Sequence, residues 1–225
     1  RITYPRAKQM VFVSKGAASS CPWLPEHKKQ VIYNAVEKPD NSNTSLPRDR
    51  TIVAIGRLKK LKGFDLLISA FAKVSTDFPD WRVKIYGDGP EGESLQHQIK
   101  ALHLTDKIEM CGPTQKVHNA LSKAGIFVLT SYYEGMPNAL IEAMSTGAPC
   151  ISTDCPHGPN ELIRSGYNGI LTPVGQVAPL SEALRNLMAT PKMRRQIGDN
   201  ALKINKTLDI DLISKQWFDV ITNTT

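Results

Sequence analysis

Ile126-Phe127-Val128-Leu129-Thr130, followed closely by Tyr133-Glu134-Gly135-Met136-Pro137-Asn138-Ala139-Leu140-Ile141-Glu142, decides how this sequence reads. The apolar run suits a strand buried on both faces of a parallel sheet. Ala139, Leu140, Ala143 and Met144 then recur at helical spacing up to Gly147. A strand tip therefore feeds a helix N-terminus. Ligands of open α/β sheets bind at such a junction, where free N–H groups and the helix dipole favour a phosphate. Gly135 lets the backbone approach a ligand, Pro137 fits the helix entry, and Asn138 and Glu142, four apart, share a helix face. Glu134 lies on the loop and Glu142 one turn down the helix. Ionised carboxylates only accept hydrogen bonds and can span a vicinal diol. The pattern asks for a ligand with both phosphate and sugar hydroxyls.

The same alternation extends outward. Strands are predicted at 51–55, 82–86, 108–111, 126–130, 149–153 and 169–172. Helices are predicted at 64–75, 91–101, 116–123, 138–146, briefly near 160–164, and then to the C-terminus. Strand and helix in turn, joined by short loops, imply a Rossmann-like α/β fold with a parallel sheet flanked by helices. Residues 1–50 are less regular, with extended pieces at Met10–Ser14 and Gln30–Asn34. Lys38 to Pro47 has the composition of a linker.

With 225 residues, 41% of them hydrophobic, the chain can bury a full core, and it suits one large domain or one domain with a remnant of another. It has no membrane-spanning apolar run and no signal peptide, so it reads as soluble and cytoplasmic. It begins at Arg1, which suggests a processed product or an excised fragment. Cys21, Cys111, Cys150 and Cys155 lack metal-ligand spacing, and the last three fall in or just after predicted strands as small apolar residues. The sequons at Asn43, Asn205 and Asn223 read as coincidental. A formal charge of +7 suits nucleic acid, an anionic membrane surface or an anionic small ligand. Nucleic acid is set aside, because no recognition motif for it is present.

Gly56-Arg57-Leu58-Lys59-Lys60-Leu61-Lys62-Gly63 occupies the first strand tip of the main domain. Arg57 can fork onto two oxygens of a diphosphate, and Lys62 acts as a point charge. Tyr86-Gly87-Asp88-Gly89-Pro90 ends the next strand with turn residues and lacks the G-x-G-x-x-G spacing of a dinucleotide fingerprint.

Taken together, Gly56-Arg57 followed by Lys62-Gly63, the Glu134 to Glu142 E-x7-E element, Gly158-Pro159-Asn160-Glu161 and Gly166-Tyr167-Asn168-Gly169 resemble the C-terminal, donor-binding half of retaining glycosyltransferases with the GT-B fold, family four (group 1). The resemblance is good from Thr51 to Met188. It implies transfer of a hexose-type sugar from a nucleoside diphosphate sugar, a UDP-sugar by preference, to a glycan or lipid-linked acceptor. Arg57 and Lys62 would stabilise the leaving diphosphate, with Gly56 beside them. Glu134 would contact sugar hydroxyls and Glu142 the ribose. Gly135, Met136, Asn138, Ala139 and Leu140 would supply backbone and helix-terminus contacts. The base would lie along Glu109 to Gly112, including Cys111. No metal or other cofactor is implied.

On this reading residues 1–37 are the tail of an acceptor domain with the interdomain crossover, 38–50 a linker, 51–205 the nucleotide-sugar domain, and 206–225 a helix returning toward the missing N-terminal domain. That helix keeps a partly unsatisfied apolar face. The usual glycine after the crossover asparagine is Ala35 here. Peripheral placement at the inner membrane face fits the basic charge. The alternatives are a nucleotide-sugar-binding module without transferase activity, or a related epimerase or hydrolase. His157 reads as a loop histidine, Glu161 as the acid at the start of its own helix, and Asp209 and Asp211 as acids at a helix N-terminus rather than metal ligands.

Overall fold

The computed structural model describes residues 7–36 and 48–223. Most of the expected linker, the Asn43 sequon and the end of the Asn223 sequon lie outside the described residues. The first segment contains β1 (Met10–Phe12), α1 (Lys15–Ser19) and β2 (Lys29–Val31), with β1 and β2 paired in parallel. Both strands are shorter than their apolar runs suggest. The intervening α1 was not expected; Ser14 caps it by accepting from the Ala17 N–H at 3.1 Å.

The main sheet has six parallel strands: β3 (Thr51–Ile55), β4 (Arg82–Tyr86), β5 (Ile108–Gly112), β6 (Ile126–Leu129), β7 (Cys150–Thr153) and β8 (Ile170–Thr172). They lie in the order β5-β4-β3-β6-β7-β8. Every residue of β6 is buried, as its uninterrupted apolar text requires. Alternate residues of β3 feed two cores. Ile52 and Ala54 face α2 (Phe64–Ala72), α3 (Gly92–Ala101), α7 (Val177–Ala189) and α8 (Pro191–Ala201). Val53 faces α4 (Val117–Lys123) and α5 (Asn138–Ser145). The expected helix near 160–164 is the single turn α6 (Pro159–Leu162), starting at its proline.

The chain builds β3, β4 and β5 outward, then returns to place β6 on the other side of β3. Between β3 and β6 the order reverses, and the loops leaving their C-terminal ends diverge around a crevice. The residues after β3 are Gly56-Arg57, and those after β6 lead to Glu134.

At the C-terminus, α9 (Ile204–Thr207) and α10 (Ile210–Asn223) replace the one helix expected from 206. The chain breaks at Leu208-Asp209, where Val36 donates its N–H to the Leu208 carbonyl at 2.9 Å. Asp209 accepts from the Asp211 N–H at 3.0 Å at the start of α10. Ile213 of α10 is buried, whereas Phe218 and Ile221 are 65% and 64% exposed, so an outward apolar face is present.

Two polar contacts hold segments that the sheet does not reach. Arg48 donates to the carbonyls of Leu121, Ser122 and Ala124 at 3.0–3.1 Å, and to that of Thr146, so one guanidinium closes the C-termini of α4 and α5. Glu161 departs from expectation. Its carboxylate caps α1, accepting the N–H groups of Lys15 and Gly16 at 2.9 Å each, and also takes the Tyr33 hydroxyl at 2.9 Å. A fully ionised carboxylate has room for all three donors, and α1 offers free N–H groups because it is a helix start. Burial works to raise the Glu161 pKa, but the Gly16, Lys15 and Tyr33 donors override it and hold the carboxyl below its ordinary value. Burial and the Glu161 contact push the Tyr33 hydroxyl up to about 12. His157 backs the same joint: its Nε2 lies 3.0 Å from Ser20 Oγ, and a Cβ on Gly16 would fall 2.2 Å from its Nδ1.

Arg48→Ala should leave four helix-terminal carbonyls without their cation and cost about 2 to 3 kcal/mol, read from urea unfolding. An unchanged midpoint would show that solvent replaces the guanidinium. Glu161→Gln should loosen the 7–36 segment. Because the folded pKa of Glu161 is depressed, its contribution is present above the ordinary carboxylate range and lost as pH falls through the depressed value. The gap in melting temperature between Glu161→Gln and the parent should therefore be widest near neutrality and close on acidification; a gap independent of pH would place its origin elsewhere.

Candidate active site

Two loops form the crevice, and local sequence explains how they meet. After β3 the chain passes Arg57, makes a 3-10 turn over Lys60–Lys62, and reverses at Gly63, whose φ of 62° lies in the left-handed region. A Cβ on Gly63 would fall 2.3 Å from the carbonyl oxygen of Thr130 at the tip of β6, so a glycine is required there on two counts. The Thr130 hydroxyl donates to the Lys62 carbonyl at 2.9 Å, and the Tyr132 N–H to the Leu61 carbonyl at 2.8 Å. The two loops are thus joined by backbone. The Gly87-Asp88-Gly89 turn braces them from the far side, because Asp88 accepts the Leu58 N–H at 2.6 Å and Leu58 accepts the Glu91 N–H at 3.0 Å.

This brings Lys62 to Glu134. Lys62 Nζ is 2.5 Å from Glu134 Oε1, and Ser131 Oγ donates to the same oxygen at 2.5 Å. The Glu134 residue is 8% exposed. Among the described residues no hydrogen bond reaches its Oε2. Arg57 is exposed, and among the described residues its guanidinium makes neither ion pair nor hydrogen bond.

A cleft of about 400 Å³ opens between these loops and the N-terminus of α5, lined by Gly56, Arg57, Lys62, Glu134, Met136, Asn138, Ala139 and Glu142 with Ile55, Val117, Leu129 and Pro137. Asn138 and Glu142 face it together from successive turns. Burial raises the Glu142 pKa, and among the described residues no group hydrogen-bonds its carboxylate. The Asn138 side chain accepts from Asn34 Nδ2 at 2.6 Å, which ties the crossover strand to the mouth of α5.

Eight of the eleven residues singled out in the sequence therefore border one cleft, and three do not. Leu140 is fully buried, pointing into the core beneath α5, so only its backbone faces the helix start. Gly135 lies in the loop, with open space where a Cβ would stand. Cys111 sits on β5, away from this cleft; burial, then Glu109, raises its thiol pKa.

A second cavity of about 360 Å³ continues from Gly56 and Arg57 and is lined by Tyr86, Gly87, Asp88, Pro113 and Thr114. The residues after β5 that border it are thus Pro113 and Thr114, not the stretch from Glu109 to Gly112, whose Gly112 carbonyl is occupied by the Gly87 N–H at 2.9 Å. Ser131 was also missed, since one serine before a loop carries no spacing signature. A third cavity, also about 360 Å³, lies beside α4 among Lys84, Lys116 and Lys123 and includes none of the eleven residues.

A cleft with two cations, two carboxylates and a helix start can hold a diphosphate at one end and hydroxyl groups at the other. Residues 36–204 match the family model described as glycosyl transferases group 1. The chain is 35% identical over 218 residues to an exopolysaccharide phosphotransferase of Streptomyces coelicolor, covering 96% of this chain and 22% of that protein. It is 32% identical over 166 residues to a lipopolysaccharide 1,6-galactosyltransferase of Escherichia coli, covering 71% of this chain and 46% of that one. The chain thus spans about half, or less, of these relatives. Among solved structures, the Anabaena protein HepE in complex with UDP and glucose superposes with a TM-score of 0.88 at 22% identity, covering 97% of this chain and 64% of that one. Staphylococcus aureus TarM, solved with UDP among its ligands, gives 0.89 at 20% identity, covering 96% and 44%. These structural matches establish the fold, that of GT-B glycosyltransferases, and with the family match over 36–204 they identify the chain as a member of the group 1 glycosyl transferases.

Proposed function

We propose that the cleft binds the donor of a sugar transfer, a nucleoside diphosphate hexose with UDP as its nucleotide. The observation that carries this reading is the convergence of Arg57, Lys62, Glu134 and Glu142 on one cleft at the sheet's reversal point. Arg57 and Lys62 take the diphosphate, Glu142 the ribose and Glu134 the hexose, while the base enters the adjoining cavity at Pro113 and Thr114. The UDP present in the HepE and TarM structures supports the choice of nucleotide.

In the reaction the bond from the sugar's C1 to the diphosphate oxygen breaks, and its electron pair leaves with the diphosphate. Arg57 and Lys62 stabilise that growing charge. An acceptor hydroxyl forms the new bond at C1 on the same face, so configuration is retained, and its proton departs to the leaving oxygen or to solvent. The acceptor, a glycan or lipid-linked sugar, is held by the further domain that the longer relatives have room for, and holding it makes a large contribution to rate. The charge of +7 supports work at an anionic membrane surface. Among the described residues no helix is long and apolar enough to cross a membrane. A second reading, a nucleotide-sugar-binding module, draws on the match to only 22% of a protein named a phosphotransferase. Acceptor-dependent sugar transfer by a protein that carries this chain decides against it.

Replacing Arg57 with alanine should weaken UDP roughly tenfold to a hundredfold and uridine little, since one charge-assisted bond contributes about 1.5 to 3 kcal/mol. Equal losses for both ligands in calorimetry would move Arg57 off the diphosphate. Glu134 calls for a different expectation. Because it neutralises Lys62 in the empty cleft, Glu134→Gln should bind UDP at least as tightly as the parent and lose the advantage of the sugar-bearing ligand. A variant that loses UDP itself would refute the assignment of Glu134 to the hexose.

Donor binding should also need no divalent metal, because Arg57, Lys62 and the α5 N-terminus already supply positive potential. UDP affinity measured with and without EDTA checks this, and loss of most affinity on chelation would overturn it.

A further inference from the structure

We infer that Ser131 is a positioning residue for the sugar-binding acid: its hydroxyl holds Glu134 Oε1 so that Oε2 is presented to the donor sugar. The inference rests on the donor reading of the cleft and adds a residue to it. Ser131 is fully buried at the β6 tip. Its hydroxyl reaches Glu134 Oε1 at 2.5 Å, and since an ionised carboxylate is acceptor-only, the serine must be the donor. Lys62 Nζ occupies the same oxygen. With both donors on Oε1 and, among the described residues, none on Oε2, the two carboxylate oxygens have different work.

The serine is itself held. Thr153, fully buried on β7, donates its hydroxyl to the Ser131 carbonyl at 2.6 Å. The Ser131 backbone is thereby tied to the neighbouring strand. The two donors on Oε1 differ in a way that matters when a ligand arrives. Lys62 carries a charge that a diphosphate attracts away from Glu134. Ser131 is neutral and anchored by the sheet, and a diphosphate gives it no reason to move. It is the contact able to keep Glu134 oriented while Lys62 turns to the leaving group.

The test compares UDP with UDP-glucose, UDP-galactose and UDP-N-acetylglucosamine by calorimetry. It uses the parent, Ser131→Ala, Ser131→Cys, Glu134→Gln and the Ser131→Ala/Glu134→Gln pair, each first checked for an unchanged melting curve. Ser131→Ala should weaken the best-bound nucleotide sugar about fivefold to tenfold while UDP stays within about twofold, and Ser131→Cys, which restores a weak donor, should recover part of the loss. In the Glu134→Gln background Ser131→Ala should cost little more, because its effect passes through that carboxylate. A parent that binds nucleotide sugars together with a Ser131→Ala variant of unchanged preference would overturn the inference and leave the donor reading standing. So would a full additive loss in the double variant. If Ser131→Ala fails to keep its melting curve, Ser131→Cys alone must still lower the preference for the nucleotide sugar, and an unchanged preference there overturns the inference. A parent that binds none of the four ligands would overturn both.

Discussion

Gly63 and Thr130 touch backbone to backbone, and the cleft depends on that contact. Thr130 directly follows β6 and Gly63 ends the loop that leaves β3, and the missing Cβ lets them approach so closely. Once they do, the Thr130 hydroxyl and the Tyr132 amide close the seam, and the Lys62 side chain has no choice but to lie over Glu134, 72 residues later in sequence. An alanine at Gly63 would face both a left-handed backbone and a collision with a carbonyl, which combine two of the recognised routes to large destabilisation.

The seam also divides the electrostatics of the empty cleft. Lys62 and Glu134 neutralise one another at the half-buried inner end, where an unpaired charge would carry a desolvation cost. Arg57 stands at the outer rim, where water serves it. Among the described residues the guanidinium at the rim is thus unpaired, while the inner ammonium is already engaged.

Legibility in the sequence followed the range of the interactions. The six strands and the helices between them are written in local periodicity: Ile126–Leu129 reads as buried on both faces, and the alternation on either side of it gives the fold class. Eight of the residues singled out meet at one cleft because strand tips and helix starts, where the motifs sit, lie together at the sheet's reversal point. What stayed hidden was held by contacts that no local spacing encodes. Glu161 looks like the acid of its own short helix, yet it caps a helix about 145 residues earlier. Ser131 gains its importance only from a carboxylate folded back over it. Pro113 and Thr114, and not Cys111, line the second cavity because strand β5 runs to Gly112, and its end, not its body, borders that cavity. The single helix expected from 206 breaks in two because Val36 pairs there, a partner far away in the chain.

The segment from Pro156 to Glu161 faces two ways. One side presses on the Glu134 loop, where a Cβ on Gly158 would fall 2.5 Å from Pro137 and the Pro156 carbonyl takes the Glu134 N–H at 3.4 Å. The other side grips α1 and Tyr33 through His157 and Glu161. A transplantable cleft unit consequently does not begin at Thr51, where the large sheet starts. Grafting from that strand onward would strip Glu161 of its three donors and leave the wall behind the Glu134 loop supported from one side only. For anyone exchanging halves between related enzymes, the natural seam lies upstream of Met10, so that β1, α1 and β2 travel with the cleft.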